Sequence, residues 1–292
     1  MKLLCTDLDR TLLPNGAEPE NPLARPILWQ LLETYDLKLA YVSGRNLEQV
    51  LEAIAQYQLK APDVIVADVG ASIYWPHNSS WQLDAVWESG IATDWIGLSS
   101  GDIQATLAGF DELKHQEPQH QATYKRSYFL DLASDQSALA CRLTTALAKR
   151  DIKASLVFSD DPLKGVGLLD VLPARANKLQ AIHHVRSQLS VSNDETLFSG
   201  DSGNDVIALA SAVPGVVVAN ADEKTRAAID KLVRHNGHES STYQAEGGLS
   251  MVFGETLNGN YAAGIVEGLL HFNPSWIGKL DDNSWLRSLK QR

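Results

Sequence analysis

Residues 2–14 read KLLCTDLDRTLLP, and the interpretation of the whole chain begins with them. The apolar run from Leu3 to Cys5 is too short for a helix and ends in turn-forming residues, which indicates a buried strand. Asp7 and Asp9 follow it. Because side chains of an extended segment alternate in direction, both carboxylates emerge on the same side and repel each other. Such a pair indicates a Mg2+ site or a proton-transfer role, the alternative being an aspartate-rich turn.

Composition limits the classes of function. The 292 residues suit one large or two moderate domains with a sizeable core. Lys and Arg number 25 against 36 Asp and Glu, and this net charge of −11 argues against nucleic acid or a membrane as the main partner. Cys5 and Cys141 lie far apart, which argues against a disulfide framework. No stretch resembles a signal peptide or a membrane span, so we expect a cytoplasmic protein.

Strands alternate with amphipathic helices in the first part of the chain. The strand predicted at 37–42 ends at Ser43, the strand at 63–67 ends at Asp68, and a helix with one apolar face is predicted at 23–35. This alternation predicts right-handed crossovers and a parallel sheet. In such sheets the ligand crevice lies beyond the carboxyl ends of the strands, where the paired aspartates and Ser43 fall.

The alternation changes from about Asp84 and returns after Gly165. Between these points the pattern predicts a helix at 102–114, a strand at 125–131 and a helix capped by Ser134. Further predicted strands are 154–158, 167–172, 196–198 and 215–219, and further helices begin at Asn177, Glu223 and Gly264. We therefore predict an α/β protein whose Rossmann-like parallel-sheet core comprises residues 1–83 and 166–292. A smaller α/β cap is inserted at 84–165, and residues 281–292 are expected to form a loose tail.

Four motifs occur in order, each at a predicted strand end or helix start: Asp7-Leu8-Asp9-Arg10-Thr11, Ser43-Gly44-Arg45, Asn177-Lys178 and Gly200-Asp201-Ser202-Gly203-Asn204-Asp205. Together they resemble the haloacid dehalogenase superfamily, whose phosphatases carry D-x-D-x-T, a Ser or Thr, a Lys and G-D-x-x-N-D. The insert resembles the larger, α/β (C2) type of cap in that superfamily. The resemblance covers the core on both sides of this insert.

A closer resemblance is to the sucrose-phosphate phosphatases. It is carried by the stretches VGASIY at 69–74, KRSY at 125–128 and DVLP at 170–173, besides the core motifs. The chain departs from this pattern at Arg10, where relatives often have Asn or Gly, and at Ser43, where they usually have Thr. Arg10 either adds a phosphate contact or faces solvent. A serine hydroxyl can serve as well as that of threonine.

The resemblance implies a role for each core residue. Asp7 is the expected nucleophile, which forms an aspartyl-phosphate, and Asp9 is the expected general acid and base. Ser43 and Lys178 are expected to hold the phosphate. Expected metal-site residues, for Mg2+, are Asp7, Asp9 through its backbone carbonyl, Asp201, Ser202 and Asp205, the last from the second coordination shell.

Substrate contacts are expected from the core and the cap. The expected core residues are Thr11, Gly44, Arg45, Asn177 and Asn204. The expected cap residues are Lys125, Ser127, Tyr128 and Asp170, by resemblance to the K-x-S-Y and D-x-L-P stretches. The alternative for the cap residues is that an alternating strand simply points half of its polar side chains at water. Arg45 either reaches the substrate or caps the helix beside it.

The function implied is a Mg2+-dependent sugar-phosphate phosphatase, with sucrose 6-phosphate as the first choice of substrate. Phosphates of mannosylfructose, glucosylglycerol and mannosylglycerate are alternatives, and a phosphomutase is disfavoured by the lack of a second phosphate-binding signature. A non-catalytic regulatory domain is the alternative outside enzymes, and the complete set of reactive residues argues against it. We expect a monomer, with the synthase that makes the substrate as a candidate partner.

Overall fold

The computed structural model describes residues 1–161, 164–250 and 256–277. Its contacts define two compact units, one formed by residues 1–41, 57–63 and the described residues from 185, and the other by residues 42–56 and 64–184. The predicted tail at 281–292 lies outside the described residues. No helix in the described part of the chain is long and apolar enough to span a bilayer.

The secondary-structure elements follow in chain order. The strands are β1 (Leu3–Thr6), β2 (Lys38–Val42), β3 (Val64–Ala67), β4 (Ser72–His77), β5 (Ser80–Leu83), β6 (Lys114–His115), β7 (Arg126–Leu130), β8 (Ala154–Asp161), β9 (Val166–Pro173), β10 (Thr196–Gly200), β11 (Gly215–Val217), β12 (Thr242–Gln244), β13 (Leu249–Ser250) and β14 (Thr256–Leu257). The α-helices are α1 (Ala24–Thr34), α2 (Leu47–Gln56), α3 (Ala85–Ala92), α4 (Ser100–Leu107), α5 (Gln136–Ala148), α6 (Lys178–Gln188), α7 (Val206–Leu209), α8 (Glu223–Asn236) and α9 (Ala262–Phe272).

The first unit contains the predicted parallel sheet. Its strands lie in the order β12-β11-β10-β1-β2, and each neighbouring pair is parallel. Every residue of β1 and β10 is buried, as expected for a sheet covered on both faces. Thr6 pairs in register with Ser199, so the residues that follow β1 and β10 emerge side by side. The α/β class and the parallel core agree with the sequence-based prediction.

The second unit contains two groups of antiparallel strands. β3, β4 and β5 pair in that order, and a separate sheet has the order β6-β7-β9-β8. The inward-facing residues of α4 and α5, including Ile103, Leu139 and Leu143, pack with Tyr128 and Leu169 of that sheet in one apolar core. This four-stranded sheet, which we call the cap sheet, therefore has an apolar core of its own.

Several predicted elements differ from the structure. The helix predicted at 102–114 ends at Leu107, because Gly109 follows closely and its flexible backbone disfavours helix. The N-cap of α5 is Asp135 rather than Ser134, since the Asp135 carboxylate accepts from the backbone N–H of Ala138. β4, β5 and the short β12 were not predicted, and β4 pairs with β3 in antiparallel rather than parallel fashion.

The division of the chain at 165 stays a prediction. It separates β8 from β9, yet these strands pair at every position from Ala154 opposite Pro173 to Asp161 opposite Val166. β9 thus belongs to the four-stranded cap sheet together with β7.

Candidate active site

Asp7 lies in a tight turn directly after β1. Its backbone N–H donates to Ser199 O over 2.9 Å, which continues the pairing of β1 with β10. The N–H of Leu8 donates to Asp7 Oδ1 over 2.7 Å and orients the carboxylate. The backbone N–H groups of Thr11, Leu12 and Leu13 all donate to Leu8 O. The turn therefore holds a buried aspartate at the carboxyl edge of the sheet, as the spacing predicted.

Asp201 is the second buried carboxylate at this edge. Oδ1 accepts from the Thr11 hydroxyl over 2.9 Å, and Oδ2 accepts from Arg10 Nε and Nη2 over 2.9 and 2.7 Å. Burial and the charge of Asp205 raise the pKa of Asp201 to about 6, against the opposing effect of Arg10 and Thr11. Thr11, expected at the substrate, instead has its hydroxyl on this carboxylate.

Asp205 closes the loop after β10. Its Oδ2 accepts from the backbone N–H groups of Asp201 and Ser202, each over 3.1 Å, and lies 3.2 Å from Ser202 Oγ. Gly200 packs against this side chain so closely that a Cβ there would lie 2.5 Å from Asp205 Cγ. The second Asp of the G-D-x-x-N-D motif thus shapes the loop, and the motif's Gly makes room for it. Asn204 Oδ1 lies 3.2 Å from Ser202 Oγ.

The carboxylates of Asp7, Asp201 and Asp205 form one cluster. One oxygen from each lies within 4.8 Å of the others, and all three residues are buried. Buried like charges at this separation are costly unless a cation compensates them. Oxygen-only donors are the ligands that Mg2+ takes, so the donor set fits the ion that the sequence predicts.

Asp9 and Arg10 are held by two asparagines that the sequence interpretation missed. Asn15 Nδ2 donates to Asp9 Oδ1 over 2.6 Å, and Arg10 N donates to Asn15 Oδ1 over 2.7 Å. Asn220 Nδ2 donates to Arg10 O over 2.6 Å. Asn15 lies between Pro14 and Gly16, and Asn220 follows a strand. Neither position in the sequence indicated the hydrogen-bond partner of the side chain.

The Ser43 loop is built in the second unit. Ser43 N donates to Val66 O over 2.8 Å, and Val69 N donates to Ser43 O over 3.0 Å. The Ser43 Oγ accepts from Arg45 N over 3.2 Å. Arg45 Nη1 donates to Gln49 O in α2. This contact fits the alternative that Arg45 caps the helix beside it. Ser43 is fully buried beside Gly44 at the end of β2, where the sequence placed it.

Lys178 begins α6 and is 1% exposed. Asn177 precedes it and acts as a helix cap, since its Oδ1 accepts from Gln180 N over 3.0 Å. The backbone of both residues lies against Gly70, where a Cβ would be 2.5 Å from the carbonyl carbon of Asn177. Asn177, expected at the substrate, therefore has its side-chain oxygen committed to the helix.

Lys125 forms a buried ion pair that no local pattern indicated. Its Nζ lies 3.0 Å from Asp68 Oδ1, and both side chains are at most 5% exposed. The same Nζ donates to Gly44 O over 3.3 Å, next to Ser43. Lys125, which was expected to contact the substrate, thus binds Asp68 directly after β3 and Gly44 in the Ser43 loop.

Ser127 and Asp170 face each other across β7 and β9. Ser127 Oγ lies 2.5 Å from Asp170 Oδ1 and 2.9 Å from His120 O, and it is 1% exposed. These two expected substrate residues therefore share one face of the cap sheet and contact each other.

Tyr128 does not share that face. It pairs with Leu169, its side chain packs in the apolar core with Leu139 and Leu143, and it is 2% exposed. Burial raises the pKa of Tyr128 to about 12. The structure does not support a substrate contact for Tyr128, because successive side chains of a strand point to opposite faces.

Comparisons with known proteins agree on one family. The family model described as sucrose-6F-phosphate phosphohydrolase matches residues 1–273. A putative HAD-like hydrolase of Nitrosococcus oceani is 40% identical over 93% of this chain and 72% of its own length. A mannosylfructose-phosphate phosphatase of Agrobacterium fabrum is 31% identical over 76% of this chain and 84% of its own. The sucrose-phosphatase of Synechocystis, solved with sucrose and phosphate, is 29% identical with a TM-score of 0.75, covering 93% of this chain and 98% of the other.

Proposed function

Because the chain belongs to the sucrose-6F-phosphate phosphohydrolase family, and is thereby a sugar-phosphate phosphatase of the haloacid-dehalogenase type, we propose that it hydrolyses sucrose 6-phosphate with Mg2+. The observation that carries this proposal is the cluster of Asp7, Asp201 and Asp205. The same residues are those that the family motif assigns to the nucleophile and the metal. The sugar is the finer part of the proposal.

Asp7 is the proposed nucleophile. A carboxylate oxygen of Asp7 attacks phosphorus, an aspartyl-phosphate forms, and the bond from phosphorus to the sugar oxygen breaks. The Leu8 N–H on Oδ1 holds the side chain in one orientation during this step. Bound Mg2+, held by Asp7, the Asp9 carbonyl and Asp201, with Ser202 and Asp205 beside them, would neutralise charge on the phosphate oxygens.

Asp9 is the proposed proton donor and acceptor. It protonates the departing sugar oxygen and then takes a proton from the water that cleaves the aspartyl-phosphate, so that phosphate and free Asp7 result. Asn15 Nδ2 donates to Asp9 Oδ1 over 2.6 Å and holds this carboxyl group in one orientation. Ser43 and Lys178 are proposed to bind the phosphate oxygens.

We propose that the sugar binds to Lys125 and to the face of the cap sheet that carries Ser127 and Asp170. Core residues Gly44, Arg45 and Asn204 are proposed to lie nearer the phosphate. A second candidate substrate is mannosylfructose phosphate, because a relative that carries this activity in its name spans most of the chain. The monomeric state, the cytoplasmic location and the synthase partner remain predictions.

The test is phosphate release from a panel of sugar phosphates and one aryl phosphate, with Mg2+ present. We expect sucrose 6-phosphate to give the highest kcat/KM, at least about tenfold above the others, which corresponds to about 1.4 kcal/mol of discrimination. A higher value for mannosylfructose phosphate would replace the sugar and keep the reaction. No release from any compound would favour a non-catalytic regulatory role.

A further inference from the structure

Arg10 contacts the metal-site carboxylate Asp201 through two nitrogens at once. Nε and Nη2 lie 2.9 and 2.7 Å from the same oxygen, Asp201 Oδ2. The Asp201 side chain is 1% exposed, whereas that of Arg10 is 31% exposed. The guanidinium thus covers a buried carboxylate from the solvent side.

The backbone of Arg10 is fixed on both sides. Its N–H donates to Asn15 and its carbonyl accepts from Asn220 Nδ2 over 2.6 Å. Asn220 is itself anchored, because its Oδ1 accepts from Tyr261 N over 2.9 Å. Arg10 also has a φ of 55°, a conformation that only a minority of non-glycine residues adopt. The position from which the guanidinium reaches Asp201 is therefore built into the fold.

The hydrogen bonds at Asp201 leave few acceptor sites. An ionised carboxylate offers about four lone-pair sites. Thr11 takes one on Oδ1, and the two nitrogens of Arg10 take both on Oδ2. A divalent cation that keeps this arrangement can use Asp201 only through Oδ1. It must also bind beside a permanent positive charge, which weakens its attraction to the carboxylates.

We propose that Arg10 is an internal competitor of the divalent cation at Asp201. It compensates the buried carboxylate when no cation is bound and lowers the affinity of the site for Mg2+. This inference rests on the proposed function, because it requires Asp201 to be a cation ligand. Arg10 acts through Asp201 and is a positioning residue.

The test is calorimetric titration of Mg2+ into the protein without substrate, comparing wild type with Arg10→Asn. Removing the guanidinium should tighten Mg2+ binding about tenfold, because a like charge leaves the site. Asparagine tolerates a positive φ, so the backbone of the loop is preserved. Arg10→Lys keeps the positive charge but cannot contact Asp201 through two nitrogens at once. Its affinity for Mg2+ should lie between those of wild type and Arg10→Asn.

The matched control is Arg25→Asn. Arg25 also makes a two-nitrogen contact with one carboxylate, Glu20, and its side chain is 25% exposed. This variant loses the same charge, and its Mg2+ affinity should equal that of wild type. Thermal unfolding gives a second measurement: the Tm without Mg2+ should fall in Arg10→Asn, and the rise in Tm on adding Mg2+ should exceed that of wild type.

Several outcomes would overturn the inference. Equal or weaker Mg2+ binding by Arg10→Asn would show that Arg10 does not compete, while the phosphatase assignment would stand. Mg2+ binding tightened equally by Arg25→Asn would show a general effect of net charge. Absence of Mg2+ binding in wild type would reject both the inference and the metal site on which the proposed function depends.

Discussion

The indole N–H of Trp87 donates to the carbonyl oxygen of Gly70 over 3.0 Å, although the two residues belong to different elements. Gly70 has a φ of +103°, and the backbone of Asn177 and Lys178 packs directly against it. Trp87 lies in α3, and the centroid of its ring is 5.2 Å from the ring centroid of His184 in α6. One loop glycine thus sets how closely the beginning of α6, and with it Lys178, approaches the end of β3.

Gly70→Ala should therefore lower activity more than it lowers stability. The new Cβ would lie 2.5 Å from the carbonyl carbon of Asn177, so the start of α6 must shift. Lys178 is proposed to bind the phosphate, so displacing it by a fraction of an ångström should reduce kcat/KM by on the order of a hundredfold. Steady-state phosphate release and thermal unfolding measure the two effects.

Gly97→Ala is the control for Gly70→Ala. Gly97 also has a positive φ of +80°, but beyond its chain neighbours no described atom lies within 4 Å of the point that a Cβ would occupy. Both variants incur backbone strain of about 1–3 kcal/mol, because alanine rarely adopts a positive φ. If Gly97→Ala lost as much activity as Gly70→Ala, strain alone would explain the loss and the contact with Asn177 would be irrelevant.

Asp7→Asn should abolish turnover, because an amide oxygen is too weak a nucleophile to form the phospho-enzyme. Removing a nucleophile costs far more than removing a proton donor, and we expect kcat to fall by more than about a thousandfold. Phosphate release at saturating substrate is the measurement, with circular dichroism to show that the variant folds. A near-normal rate would rule out the covalent route.

Lys125→Met should destabilise the protein by about 3–5 kcal/mol, because it leaves the buried Asp68 carboxylate without its ion-pair partner. The double variant Lys125→Met with Asp68→Asn should recover most of that loss, since it removes the unpaired charge. Asparagine also suits the position of Asp68, whose φ is 54°. Urea unfolding measures both. A single variant as stable as wild type would mean that the pair contributes little.

Asp170→Asn should raise KM for the sugar phosphate about tenfold while changing kcat less, because the residue is proposed to bind the sugar rather than the phosphate. Tyr128→Phe is the matched change on the opposite face. It removes only a hydroxyl that has no hydrogen-bond partner among the described residues. KM should be unchanged in Tyr128→Phe. An equal rise in both variants would return Tyr128 to the substrate site.

The position of each core carboxylate at a strand end could be predicted from its own segment, and the family resemblance implied that Asp7 and Asp201 share a site. Asp7 directly follows β1 and Asp201 directly follows β10, and the parallel pairing of these two strands in the structure brings the residues together. The resemblance of the ordered motifs to a known family then implied the chemistry.

The rest depends on contacts between residues distant in sequence. Asp68 and Lys125 form a buried pair, yet each looks like an ordinary polar residue in its own segment. Tyr128 was assigned to the substrate because it lies in a stretch that resembles the family. Its side chain points to the opposite face of β7 from that of Ser127, because successive residues of a strand alternate in direction. β4 was missed because Pro76 and two aromatic residues obscure its alternation.

The uninterrupted pairing of β7 with β9 limits which sequence changes can alter the proposed sugar-binding face. Ser127 lies opposite Asp170, and Tyr128 opposite Leu169, with no bulge between them. Inserting or deleting one residue in either strand would exchange these two faces, exposing apolar side chains and burying polar ones. The proposed sugar-binding face can therefore change by point substitution, whereas changes in length are confined to the connecting loops.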